Sequence, residues 1–156
     1  MDPRSFGKLL QLAQVSAGDR VLDVGCLTGY STTVLSRLAA HVVGLEQDGE
    51  VKQTAQKNLS GVGVANAEIV QGALDRGCPE KAPFDVIVVN GTIEVSPDDL
   101  FAQLGQGGRL VAVVRDGAAG HACLFLKHDG ALSERVAFDA QVPLLPGFAK
   151  AAGFVF

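Results

Sequence analysis

At 156 residues, 47% hydrophobic and 19% charged, the chain is long enough to bury a core and too apolar to stay disordered. Its net charge of −4, with no run of Lys or Arg, argues against a nucleic-acid partner, because phosphate contacts need clustered cations. Cys26, Cys78 and Cys123 lie far apart in no CxxC pair, no stretch approaches the roughly 18 apolar residues of a membrane span, and the N-terminus lacks a signal-peptide pattern; a cytoplasmic protein with no disulfide framework, metal site or membrane partner is expected.

Asp2-Pro3 forms a helix start, a side-chain cap followed by proline at the first helical position. Phe6, Leu9, Leu10, Leu12 and Ala13 then recur at helical spacing, and this helix is expected to end near Ser16-Ala17-Gly18. Arg20–Gly25 reads as a short apolar strand stopped by glycine, and Tyr30–Ala40 as a helix with Val34, Leu35 and Leu38 turned inward. His41–Glu46 is a second strand, ending in an acid; Gly49–Leu59 is a helix whose outer face carries Lys52, Gln53, Gln56 and Lys57. Ala67–Val70 and Phe84–Val89 are the third and fourth strands. Asn90-Gly91 has the form of a hairpin turn, but the helix start at Ser96-Pro97 makes it a strand-to-helix loop. A short helix over Pro97–Leu104 is expected to take Ser96 as its cap, and Arg109–Val114 is a fifth strand, with Arg115-Asp116-Gly117 an exposed turn after it.

Nearly continuous apolar strands alternating with helices imply an α/β fold, Rossmann-like, with a mainly parallel sheet covered by helices on both faces. After Val114 the pattern changes: Ala122–Lys127 and Leu132–Phe138 flank Asp129-Gly130, a strong two-residue hairpin signal, so the sheet should finish with antiparallel strands. With no linker, repeat or low-complexity tract, residues 1–156 are expected to form one domain.

The chemistry is concentrated in Val21-Leu22-Asp23-Val24-Gly25-Cys26-Leu27-Thr28-Gly29-Tyr30, a strand, a glycine-bearing turn and a helix start. In such folds ligands bind outside the carboxyl ends of the strands, where strand order reverses. Gly25 and Gly29 let the backbone turn tightly and approach a ligand with no Cβ in the way. Glu46 ends the next strand about 20 residues on, where an acid commonly accepts hydrogen bonds from ribose hydroxyls. A dinucleotide fingerprint would need glycines at 27 and 30, where the chain has Leu27 and Tyr30, and no GK[ST] phosphate loop is present. The large class that remains is the S-adenosylmethionine methyltransferases.

VLDVGCLTGYST is similar to the first motif of the protein-L-isoaspartate O-methyltransferases, and FDVIVVNGTIEVSPDDLFAQLGQGGRLVAVV resembles that family's fourth strand, following helix and fifth strand. VPLLPGF resembles its late Val-Pro-Leu segment. The resemblance implies S-adenosylmethionine as cofactor and methylation of an isoaspartyl carboxylate in a peptide or protein partner, as in protein repair. It places Asp23, Gly25, Cys26 and Gly29 around the methionine part of the cofactor, Glu46 on the ribose and Gln47 beside the adenine. Gly72, Ala73 and Leu74 would pass along the adenine edge, and Asn90 would close the pocket near the methyl group. Catalytic side chains are not assigned, because a carboxylate acceptor is already ionised at neutral pH and needs no general base.

Three departures from the family stand out. Leu27 replaces the middle glycine of the turn; Ala73 stands where an aspartate often holds the adenine amino group, with Asp75 two residues off. Asp2-Pro3 aligns with the last two positions of a Gly-Gln-Thr-Ile-Ser-Gln-Pro-like motif that closes the family's peptide-binding arm, so the chain is expected to be either a fragment or a protein without that lobe. The alternatives are a methyltransferase for another acceptor and a non-catalytic cofactor-binding domain; Leu27 and Tyr30 disfavour an NAD enzyme. Cys26, though near a helix start that can lower a thiol pKa, reads as a small packing residue facing the cofactor. His41, His121 and His128 read as structural, and Glu94 as either a substrate contact or a solvated loop acid. Oligomeric state is left open.

Overall fold

The computed structural model describes residues 1–151. The elements run α1 (Pro3–Ala13), β1 (Arg20–Val24), α2 (Tyr30–Ser36), β2 (His41–Glu46), α3 (Gly49–Gly61), β3 (Ala67–Gln71), β4 (Phe84–Ile93), α4 (Asp98–Ala102), β5 (Leu104–Asp116), β6 (Ala119–His128) and β7 (Ala131–Asp139). They build one seven-stranded sheet in the order β3-β2-β1-β4-β5-β6-β7. The first five strands are parallel, and β5, β6 and β7 pair antiparallel, as the Asp129-Gly130 signal led one to expect. Strand order reverses between β1 and β4, which is where an open α/β sheet leaves a crevice at the strands' carboxyl ends.

Local chemistry accounts for most boundaries. Asp2 caps α1 by accepting from the amides of Arg4 and Ser5, and Asp48 caps α3 in the same way through Glu50 and Val51. Arg109, within β5, ties that strand to α1: its guanidinium donates to the Ala13 and Gln14 carbonyls and pairs with Asp19 at 2.7 Å. Alternate residues of the central strands feed two cores. On one face Val21, Val42, Val86, Val88 and Val111 meet Phe6, Leu9 and Leu35 of α1 and α2. On the other, Leu22, Val43, Leu45, Ile87 and Leu110 meet Leu100 of α4, Leu74, and Leu145 and Phe148 of the tail. Ala55 and Leu59 of α3 form a smaller cluster with Ile69 and Cys26.

Three expected helix boundaries fail on geometry, the first being α1, which ends at Ala13 where Gln14 turns left-handed (φ 48°) and not near Ser16-Ala17-Gly18. The second helix stops at Ser36 instead of Ala40, and Leu38 is 41% exposed while Ser31, Thr32 and Ser36 are buried. Leu35 is buried as expected, while Ser31 and Thr32 turn inward because they meet a buried acid, described below. The fourth helix covers only Asp98–Ala102 and Ser96 does not cap it: its hydroxyl bonds to the Asp98 carboxylate, and Gln103 and Leu104 leave the helix. Among the described residues, no helix is long and apolar enough to cross a membrane.

Candidate cofactor and acceptor site

At the reversal between β1 and β4 two adjoining cavities open, of ≈ 210 and ≈ 250 Å³. They share Met1, Gly25, Leu27 and Asn90. The inner one continues past Glu46, Gln47 and Leu74 to a roof of Pro143–Pro146; the outer one past Phe6, Thr28, Tyr30 and Ser31.

Beneath them lies a polar knot. Asp23 is fully buried in mid-sheet, and its carboxylate accepts from Ser31 Oγ (2.7 Å), Thr32 Oγ1 (2.6 Å) and Asn90 Nδ2 (2.6 Å). Burial pushes the Asp23 carboxyl up, and the three donors only partly offset it. Asn90 reaches it because β4 bulges: Val88 pairs with Val111 but Thr92 with Val113, so two extra residues are squeezed out around Asn90-Gly91. Asn90 is therefore neither in a plain loop nor in a hairpin, but on a strand bent to aim its amide at β1.

Glu46 organises the opposite wall. Its Oε2 accepts from the Leu27 amide (3.0 Å), and its Oε1 from the amides of Gln47 (2.9 Å) and Asp48 (3.1 Å). A carboxylate offers about four acceptor positions, so one remains on Oε2 for a ligand hydroxyl. The bond from Leu27 also holds that residue at φ 48°, the left-handed region that suits glycine. Its side chain escapes a clash by turning outward, 54% exposed, over the junction of the two cavities.

The glycines of the turn serve different ends. Gly25 (φ 74°) lies under the tail: a Cβ there would come within 2.9 Å of Leu145 Cδ1. Gly29 (φ 88°) faces α3, where a Cβ would meet Leu59 Cδ1 at 2.6 Å, so it is needed for packing.

Of the residues singled out from sequence, the fold brings Gly25, Glu46, Gln47, Leu74 and Asn90 to the cavity walls. Asp23, Cys26, Gly29, Gly72 and Ala73 are not on them. Cys26 packs with Ala55, Leu59 and Ile69, and burial with the nearby Asp23 charge drives its thiol far above the ordinary value, which makes it inert. Gly72 donates its amide to the Glu46 carbonyl, Ala73 is exposed, and the Asp75 carboxylate lies against Gly147. Glu94 touches neither cavity. Ser31 and Thr32 were missed; the signal was two consecutive hydroxyls on the face of a helix toward a strand carrying an acid. The Pro143–Pro146 roof was foreshadowed only by the Val-Pro-Leu resemblance.

Against this geometry the comparisons converge. The family model for protein-L-isoaspartate(D-aspartate) O-methyltransferase matches residues 2–145. A protein-L-isoaspartate O-methyltransferase of Methanoregula boonei is 40% identical over 145 residues, 92% of this chain and 66% of the relative. Those of Methanoculleus marisnigri (42% over 101 residues; 65% of this chain, 46% of the relative) and Koribacter versatilis (38% over 112; 72% and 50%) are similar. The chain thus spans about half to two thirds of the length of these relatives. A solved protein-L-isoaspartate O-methyltransferase superposes with TM-score 0.85 at 28% identity, over 93% of this chain and 47% of that one. A Plasmodium falciparum structure in complex with S-adenosyl-L-homocysteine superposes with TM-score 0.78 at 21% identity, over 92% of this chain and 73% of that one. By the extent of these matches, the chain belongs to the protein-L-isoaspartate(D-aspartate) O-methyltransferase family.

Proposed function

We propose that residues 1–156 act as one S-adenosylmethionine-binding unit and that the protein methylates the carboxylate of isoaspartyl residues in peptides or proteins. The observation that carries the reading is the pair of cavities at the strand-order reversal, walled by Glu46 and Asn90, in a chain of this family. The donor set fits the cofactor. Glu46 keeps one acceptor position for a ribose hydroxyl, Leu74 and Leu145 give apolar walls beside Gln47 for a flat base, and the missing Cβ of Gly25 lets Leu145 close down over the cavity. Asp23 would act at one remove, holding Asn90 and Ser31 in place.

Held there by Glu46 on its ribose and by Leu74 and Leu145 beside its base, the cofactor would supply a sulfonium-activated methyl group for transfer to a carboxylate oxygen. The outer cavity, with Thr28, Tyr30 and Ser31, is where the acceptor would enter. An acceptor carboxyl with a pKa near about 3.5 is ionised at neutral pH, so the chain's contribution is alignment and exclusion of water, not proton removal. The three cysteines are buried and unpaired, in keeping with a reducing cytoplasm.

A second reading, transfer to a different acceptor, draws on one observation: among the described residues the cavity walls carry hydroxyls but no Lys, Arg or His. The experiment is transfer of a labelled methyl group to an isoaspartyl peptide and to its aspartyl twin, with calorimetry of S-adenosylhomocysteine and NAD. Isoaspartyl-selective labelling supports the first reading. Cofactor binding without peptide labelling favours the second, and no S-adenosylhomocysteine binding overturns both.

A further inference from the structure

Beyond β7 the tail crosses the carboxyl end of the sheet along a defined path. The Thr92 amide donates to the Pro143 carbonyl (2.8 Å), its hydroxyl to the Val142 carbonyl (2.6 Å), and its carbonyl accepts from the Leu145 amide (2.9 Å). The Glu94 amide donates to the Phe148 carbonyl (2.9 Å), and the Phe148 ring is buried. This path lays Pro143–Pro146 along the inner cavity and seats Leu145 against Gly25. The last fastening is a side chain. Glu94 Oε1 accepts from Arg115 Nε (3.0 Å) and Nη2 (2.6 Å), while Oε2 accepts from the Lys150 amide (3.0 Å). The Lys150 amide and then Arg115 hold the Glu94 carboxyl below its usual range, so it is bound as the anion.

We propose that Glu94 is a positioning residue for cofactor retention, clasping the tail through Arg115 and the Lys150 amide so that Pro143–Pro146 stay closed over the inner cavity. The proposal rests on the S-adenosylmethionine reading of that cavity. Among the described residues the tail's other fastenings are neutral backbone or hydroxyl bonds, the buried Phe148 ring and a long, exposed Lys150–Asp116 ion pair (3.9 Å); Glu94 joins the ends of β4, β5 and the tail with short charge-assisted bonds. Such a clasp acts on escape of a bound ligand more than on its entry, because the bonds must break for the roof to lift.

The test uses the intact 156-residue chain with S-adenosylhomocysteine as probe. Glu94→Ala should speed its dissociation about tenfold while association stays within about twofold, and Glu94→Gln, which keeps one acceptor oxygen, should fall between. In the ligand-free protein, hydrogen exchange at the Leu145 amide should quicken in parallel. Asp19→Asn weakens the ion pair with Arg109 at the far end of the sheet; it serves as a stability control and should leave dissociation unchanged even as the melting temperature falls. Unchanged dissociation or unchanged Leu145 exchange in Glu94→Ala, or an equal effect from Asp19→Asn, overturns the clasp. If the unmutated chain does not bind the probe, the cofactor reading falls and this proposal with it.

Discussion

The turn after β1 and the hairpin turn between β6 and β7 place the same backbone demand on different residues. Leu27 sits at φ 48° and Asp129 at φ 49°. In the hairpin the conformation is ordinary: Asp-Gly is the sequence a two-residue turn of this kind selects, and Gly130 follows at φ 77°. In the β1 turn a branched apolar residue takes it, at a cost of about 1–2 kcal/mol. What holds it there is the Glu46 carboxylate on the Leu27 amide, underlain by the knot around Asp23. Strain that the surroundings over-determine marks a site with a task, whereas the same angle in the hairpin marks only a turn.

If that contrast is right, the supports of the β1 turn should matter far more than anything in the hairpin. Asp23→Ala strands three buried donors, on Ser31, Thr32 and Asn90, and should lower unfolding free energy by about 3 kcal/mol or more in denaturant titration. A loss under 1 kcal/mol would mean the knot is not a support.

Glu46→Ala removes the acceptor of three amides as well as a cavity wall, so it should cost about 2–3 kcal/mol of stability and also weaken S-adenosylhomocysteine binding. Glu46→Gln keeps one acceptor oxygen and should cost less on both scales. Equal effects on stability from the two variants would argue against the triple acceptor geometry.

Leu27→Gly should raise stability by about 1 kcal/mol, relief of the left-handed strain partly offset by the freedom glycine gains in the unfolded chain, and should tighten S-adenosylhomocysteine binding by uncovering the cavity junction. Asp129→Gly in the hairpin should change stability by no more than about 0.5 kcal/mol and binding not at all. Similar shifts in both would erase the distinction between the turns.

The smallest effect is with pH. Hydrogen bonding to Lys81 lowers the Glu68 carboxyl from its ordinary 4.5. Its contribution to stability is therefore complete above that value and is lost as pH falls through the lower folded one. Asp23, raised by burial, runs the other way: ionisation opposes folding, so stability is regained as pH falls through its raised folded value. Comparing acid titrations of Glu68→Gln and Asp23→Asn should show slopes departing from the parent in opposite directions.

Much of this was legible in the chain because it is local. Asp2 announces a helix start by the reach of one short side chain, Asp129-Gly130 announces its turn by backbone preference, and apolar runs such as Val86–Val89 announce buried parallel strands. The acid ending β2 and the glycine turn after β1 were legible too, since their spacing reflects one βαβ unit. Only the tertiary structure decided what each of those residues faces. Asp23 turned out to be buried beneath the site because β1 lies between β2 and β4, and the β4 bulge brings Asn90 to it from 67 residues away. Cys26 and Gly29 turned out to serve the packing of α3, and Glu94 the fastening of the tail. The physical reason is common to all of these. Periodicity records which face of its own element a residue occupies, while its hydrogen-bond partners come from elements brought alongside by the crossing of β4 and the return of the tail, about which no window of sequence carries information.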